Sequence, residues 1–201
     1  MTMSRRIPAR SLVSAAILAL ATTSLVAQTG GAVRVPVTVS GSYTNQSNVG
    51  RQGMGRITVS VSQLTGDSVR DQFLDVLSTK GDQTLVEQMR KATPVGRIRL
   101  DTGLGWDLRF ARVLPGEAGA TRLVVATDRP ISFREAVNRP RVSDYPITVV
   151  EITFDQDGRP TGGRMAVAIK AQFDTEKNTL TLENFADRWI TLANLEIERQ
   201  P

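Results

Sequence analysis

The chain has 201 residues, of which 40% are hydrophobic and 5% aromatic, with no Cys and no His. The missing thiol and imidazole exclude a Ser-His-Asp triad, a cysteine nucleophile, a disulfide, a thiolate zinc site and a lipid-bearing cysteine. The formal charge of +5 is unevenly placed: Arg5, Arg6 and Arg10 stand in a stretch without acids, and past residue 27 the balance is 22 basic against 20 acidic side chains. That is too even for a nucleic-acid-binding field.

Residues 1–27 read as an export signal. Arg5, Arg6 and Arg10 precede an apolar run over 11–21, and small residues then lead to a cut after Ala27. The run is shorter than the roughly 20 residues that a bilayer span needs. Ser4-Arg5-Arg6 raises the twin-arginine route, but Ile7-Pro8-Ala9 lacks the apolar pair that route favours, and an ordinary secretory signal fits better. The remainder, 28–201, reads as a single β-rich domain, soluble in the periplasm or outside the cell, with no membrane span of its own.

Val33, Val35, Val37 and Val39 alternate with Arg34, Pro36, Thr38 and Ser40. This predicts a strand whose valines share one buried face. Pro36 has no N–H for a ladder, which places the strand at a sheet edge. The polar, glycine-rich stretch 43–55 reads as a mobile loop. Gly50, Gly53 and Gly55 precede a strand instead of linking strand to helix, so they make no phosphate cradle. Ile57, Val59 and Val61 form the next strand.

Two short helices follow. Asp67 or Ser68 caps the first, with Asp71 three residues after Ser68, and Val69, Phe73, Leu74 and Leu77 share its apolar face. Gly81 stops it. Asp82 caps the second, which carries Leu85, Val86 and Met89 and ends near Pro94.

Alternation then returns at Ile98 and Leu100; at Trp106, Leu108 and Phe110; at Leu123 and Val125; and at Val150, Ile152 and Phe154. It continues from Met165 to Phe173, at Leu180 and Leu182, and at Ile190 and Leu192. The joins, such as Pro115-Gly116, Asp157-Gly158 and Asp174-Thr175-Glu176-Lys177-Asn178, carry turn chemistry and are short, so neighbouring strands run antiparallel. The expected architecture is α+β and β-rich: an antiparallel meander of about nine strands, as a sandwich or partly closed barrel, with an inserted pair of short helices.

Residues 128–146 interrupt this pattern with 19 residues free of strand alternation. Loops of that length in compact domains are often functional. Pro130, Pro140 and Pro146 restrict the backbone, and Ser132 with Glu135 makes a capping box. Arginine forks bind carboxylate or phosphate bidentately, so Arg134, Arg139 and Arg141, with Tyr145, are the candidate ligand-binding residues. Asp128 and Arg129 are expected to fix the turn. Asp155, Asp157 and Gly158 match a fragment of a calcium loop, but the later carboxylates are missing and a hairpin turn accounts for them. No metal and no cofactor are expected.

Two functions compete. One is a non-enzymatic module that binds a small ligand or an envelope protein, favoured by a cavity lined by Trp106, Phe110 and Phe133. The other is a small exported hydrolase-type enzyme using carboxylates, with Asp107, Asp128 and Asp144 as the acids to test.

Four stretches carry a resemblance. They are Leu104-Gly105-Trp106-Asp107-Leu108-Arg109-Phe110-Ala111-Arg112, Ala126-Thr127-Asp128-Arg129-Pro130-Ile131-Ser132-Phe133, Asp144-Tyr145-Pro146 and Leu182-Glu183-Asn184-Phe185. Together they resemble a family of uncharacterised secreted bacterial proteins, over about 140 residues from about Gly55 onward. The chain departs from that family at Gln63-Leu64-Thr65, where similar proteins carry Arg-Trp-Ser. The resemblance implies a single exported domain and supplies no catalytic residue.

Overall fold

Period-two valines build strands here because one face of each meets a common core. The computed structural model describes residues 16–19, 33–49, 52–101, 103–131 and 144–198. Its strands are β1 (Ala16–Ala19), β2 (Val37–Asn45), β3 (Gly53–Val61), β4 (Gly96–Leu100), β5 (Trp106–Leu108) and β6 (Phe110–Pro115). They continue with β7 (Thr121–Ala126), β8 (Ile147–Phe154), β9 (Pro160–Asp174), β10 (Thr179–Asn184) and β11 (Ile190–Ile197). Helix α1 (Asp67–Lys91) lies between β3 and β4. Residues 1–15, 20–32, 50–51, 102, 132–143 and 199–201 fall outside the description.

Nine strands form one continuous antiparallel path in the order β5-β4-β3-β2-β11-β9-β8-β7-β6. Its two ends, β5 and β6, are separated in the chain by Arg109 alone. One extended segment therefore pairs with β4 through its first half and with β7 through its second, and the sheet turns back on itself as a nearly closed barrel. Arg109 N donates to Ala126 O at 2.9 Å across that corner. Strand β10 lies off the path, paired with the far half of β9 and, on its other edge, with β1.

The barrel interior is filled by side chains, as expected where about eight strands close on themselves. Val39, Ile57, Val59, Ile98, Leu108, Ala111, Leu123, Ile152, Phe154, Met165 and Leu192 meet there. A second cluster lies outside, where α1 covers β7 to β10. Phe73, Val76, Leu77, Leu85, Val86 and Met89 point from the helix onto Val124, Val149, Ala166, Ile169 and Leu182. Six such side chains contribute roughly 1.5–3 kcal/mol each by burial, as an upper figure. Strands β7, β8 and β9 are thus buried on both faces.

Helix α1 consists of the two helical arms expected from the sequence, meeting at Gly81, whose backbone is not helical, with φ 81° and ψ 178°. That left-handed φ is costly for any residue with a Cβ. The bend returns the second arm to its origin: Ser62 N and Gln63 N both donate to Val95 O, at 2.9 and 3.3 Å. The expected capping differs. Gly66 occupies the cap position with no side-chain bond, and Asp67 instead pairs with Arg112 at 2.7 Å and Arg70 at 3.0 Å. These guanidiniums hold the exposed Asp67 carboxyl below its ordinary value, the Arg112 hydrogen bond first. Val76, not Val69, completes the buried face.

Three further expectations are corrected. Strand β2 lies between β3 and β11, not at an edge; Pro36 precedes the strand, so its missing N–H costs the ladder nothing. Much of the stretch 43–55 is strand, with Tyr43 opposite Gly55 and Asn45 opposite Gly53. The connecting residues are tied down by Asn45, whose Nδ2 donates to Val49 O and whose Oδ1 accepts from Ser47 N, both at 3.0 Å. Thirdly, Trp106, Leu108 and Phe110 do not share a face. Leu108 and Ala111 both point inward though three residues apart, while Phe110 joins the outer cluster. An extra residue at the corner shifts the alternation by one, as a bulge does.

Tyr43 shows why Gly55 stands opposite it. The phenol crosses Gly55 to donate to Asp101 Oδ2 at 3.0 Å, and Asp101 Oδ1 accepts from Arg56 N at 2.9 Å. A Cβ on Gly55 would come within 2.7 Å of the Tyr43 hydroxyl and closer still to Asp101 Oδ1.

Candidate functional site

The bend at Gly81 and the bulge at Arg109 create a groove. The first turns of α1 and its last turn lie side by side at the corner where β5 passes into β6. Between them is a space of about 440 Å³, within the usual range for small-ligand sites. Leu64, Val69, Phe73, Ala92 and Val95 supply its apolar surface. Leu64 and Val69 are 38% and 37% exposed, two of the few large apolar side chains open to solvent among the described residues. Gln63, Gln72, Gln88 and Thr93 add neutral polar groups, and Lys91 and Arg109, the latter paired with Asp107, add cationic groups. The described lining contains no carboxylate.

Arg109 is held between helix α1 and Asp107. Its side chain is 14% exposed. One terminal nitrogen donates to Ala92 O at 2.8 Å and the other reaches Asp107 Oδ2 at 3.3 Å. The first bond closes the C-terminal end of α1 onto the barrel corner. Its Nε is buried and has no hydrogen-bond partner. Thr65 holds the opposite wall: its N donates to Ala111 O at 2.8 Å, and its hydroxyl accepts from Ala111 N at 2.9 Å. Arg112 Nη1 donates to Thr65 O at 3.0 Å.

Arg134, Arg139 and Arg141, expected from the sequence to bind ligand, lie outside the described residues, as does Phe133. Tyr145 is described. Its hydroxyl donates to Glu183 Oε1 at 2.6 Å, and its ring packs on Phe185 with centroids 5.2 Å apart. That hydrogen bond, then burial, pushes the Tyr145 phenol up to about 12. Tyr145 so pins the chain ahead of β8 to β10.

Residues 127–131, which follow β7, are held by a compact set of bonds. Thr127 N donates to Thr148 O at 3.0 Å and the Thr127 hydroxyl to Arg129 O at 2.5 Å. Ile131, fully buried in the barrel core, donates its N–H to the Thr148 hydroxyl at 2.7 Å. Asp128, 2% exposed, faces Arg129 Nε at 3.4 Å and Arg90 Nε at 3.6 Å.

The three acids singled out in the sequence thus have separate surroundings. Asp107 pairs with Arg109, Asp128 with Arg90 and Arg129, and the charge of Asp144 acts on Tyr145. Among the described residues no three His, Cys, Asp or Glu side chains gather as a metal-ligating group. Asp155 Oδ1 accepts from Asp157 N and Arg159 N, at 3.0 and 2.8 Å, in a hairpin turn. Trp106 and Phe110 belong to opposite faces of the barrel wall and line no common cavity.

The groove was not legible from alternation, because Val69 fits a helical apolar face and Arg109 fits a regular strand. The signal that finds it is the spacing of Leu108 and Ala111, one residue too long for a shared face. Among the described residues no helix is long and apolar enough to cross a membrane. No protein-family model matches this chain, and neither the curated proteins nor the solved structures contain a match to it.

Proposed function

We propose that this chain is an exported, non-enzymatic binding module that holds a small amphipathic anion in the groove between α1 and the barrel corner. One observation carries the reading: Lys91 and Arg109 stand beside an apolar bed in a groove whose described lining holds no carboxylate. A carboxylate entering there would meet cationic groups, and charge-assisted hydrogen bonds to them are stronger than neutral ones. Leu64, Val69 and Phe73 offer an apolar bed for the rest of the ligand. The filled barrel interior favours this outer groove over an internal cavity. Export is supported by the succession of Arg5, Arg6 and Arg10, the apolar run 11–21 and the small residues up to Ala27.

Dodecanoate is a suitable probe, with one carboxylate on an apolar chain. Calorimetric titration is expected to show saturable one-to-one binding, weakened about tenfold or more by Arg109→Gln, equivalent to about 1.4 kcal/mol. Val69→Asp, on a side chain open to solvent, should weaken it similarly without touching the fold. The cationic dodecyltrimethylammonium should bind far less. Unchanged affinity in both variants, or no saturation below the micelle concentration, overturns the reading. Export is checked separately by the intact mass of the protein recovered from the envelope fraction; a cytoplasmic chain retaining 1–27 overturns that part.

A further inference from the structure

Strand β1 falls inside the segment that the export reading removes. Its backbone pairs antiparallel with the outer edge of β10, with Ala16 opposite Leu182, Ile17 opposite Thr181, Leu18 opposite Leu180 and Ala19 opposite Thr179. The other edge of β10 belongs to β9. Taking away 1–27 therefore bares a row of main-chain donors and acceptors along β10, which is a template for strand addition.

We propose that this edge is a docking edge, capped by residues 16–19 in the full chain and, once they are removed, occupied by β10 of a second copy. This inference rests on the export reading. Three features of β10 support self-pairing. The strand reads Thr-Leu-Thr-Leu-Glu-Asn and has none of the lysines or prolines that blunt natural edges. Its one charge, Glu183, is already engaged by the Tyr145 hydroxyl.

The third feature is register. In an antiparallel pair, directly opposed residues share a face. Centring two copies on Thr181 sets Thr181 against Thr181, Leu180 against Leu182 and Thr179 against Glu183. Apolar side chains then meet apolar ones on the face that each copy turns toward α1, and no like charges are opposed. A shift of one residue would set leucine against threonine. An isologous two-fold contact of this kind is closed, so it stops at the dimer. It is also small, so the dimer is weak and dissociates on dilution.

The described core residues all lie from Val33 onward, so the chain 28–201 retains both clusters. Sedimentation equilibrium of 28–201 is expected to show a monomer–dimer equilibrium, with the full chain at least tenfold weaker in association. Thr181→Lys sets two ammonium groups against each other on the two-fold axis and should abolish the dimer. Mixing the Thr181→Lys and Thr181→Glu forms should restore association as a heterodimer, a rescue that a merely unfolded variant cannot give. Equal association of 28–201 and the full chain, a monomeric 28–201 at all concentrations, or no rescue on mixing overturns the proposal. Because 28–201 is produced directly, the outcome is independent of whether cells remove the leader, which the intact-mass measurement decides.

Discussion

Glu151 on β8 and Arg164 on β9 stand opposite one another on a rung of the ladder, with Arg164 Nε at 2.6 Å from Glu151 Oε2. Arg122 of β7 reaches the other carboxylate oxygen at 2.7 Å. Arg164 also lies over Trp189, 4.5 Å from the ring centroid. Val150 and Ile152 point into the barrel, so Glu151 belongs to the outer surface, where it is nevertheless only 5% exposed. A carboxylate that deep is retained because both oxygens are paired with cations.

Glu151→Ala should therefore lower stability by about 2 kcal/mol. Breaking a buried pair costs roughly 3–5 kcal/mol, but Arg122 and Arg164 are 28% and 44% exposed and turn to water, which reduces the loss. A double-mutant cycle with Arg164→Ala, read by chemical denaturation, should give a coupling of about 1 kcal/mol. Strict additivity would mean that Arg164 acts through Trp189 alone.

Gly55→Ala places a methyl where the Tyr43 phenol and Asp101 carboxylate already sit. The expected loss is about 2 kcal/mol, within the usual range for overpacking. Tyr43→Phe removes the hydroxyl and its bond to Asp101, at about 1 kcal/mol. The pair should be less damaging together than their sum, because the phenylalanine makes room for the methyl. Urea denaturation of the four forms checks this; a sum that adds within about 0.3 kcal/mol would place the strain elsewhere.

The strands were legible where one face meets the core and the other meets water. Val37, Val39, Ile57, Val59 and Val61 are buried while their alternating neighbours are not, and period two follows directly. Legibility fails where a distant partner decides. Tyr43 to Asn45 is polar enough to read as loop, yet pairs with Gly53 to Gly55 because Gly55 admits the Tyr43 ring. The choice between sandwich and barrel turned on whether Arg109 N finds Ala126 O, a contact that no local pattern encodes. The groove depends on the same corner. Its apolar members lie on α1 and on the segments flanking it, and only the bend at Gly81 brings them to Arg109.

The chain has two tyrosines, and both donate to carboxylates: Tyr43 to Asp101 and Tyr145 to Glu183. Both phenols are pushed up to about 12, Tyr43 mainly by burial and then by Asp101, Tyr145 mainly by its hydrogen bond to Glu183. The unfolded chain releases these protons near the ordinary value of about 10. Between about 10 and 12 the folded state thus holds more protons than the unfolded one, and stability falls as pH rises through that window. Below about 10 the contribution is fully present. Phenolate absorbance should show almost no ionisation of the native protein at pH values where the guanidinium-unfolded chain is half ionised. The two causes separate by mutation. Glu183→Gln should return Tyr145 most of the way to about 10, whereas Asp101→Asn should return Tyr43 only in part, because burial remains. Native tyrosines that both ionise near 10, or an Asp101→Asn variant in which Tyr43 recovers its full ordinary value, would contradict this account of the two sites.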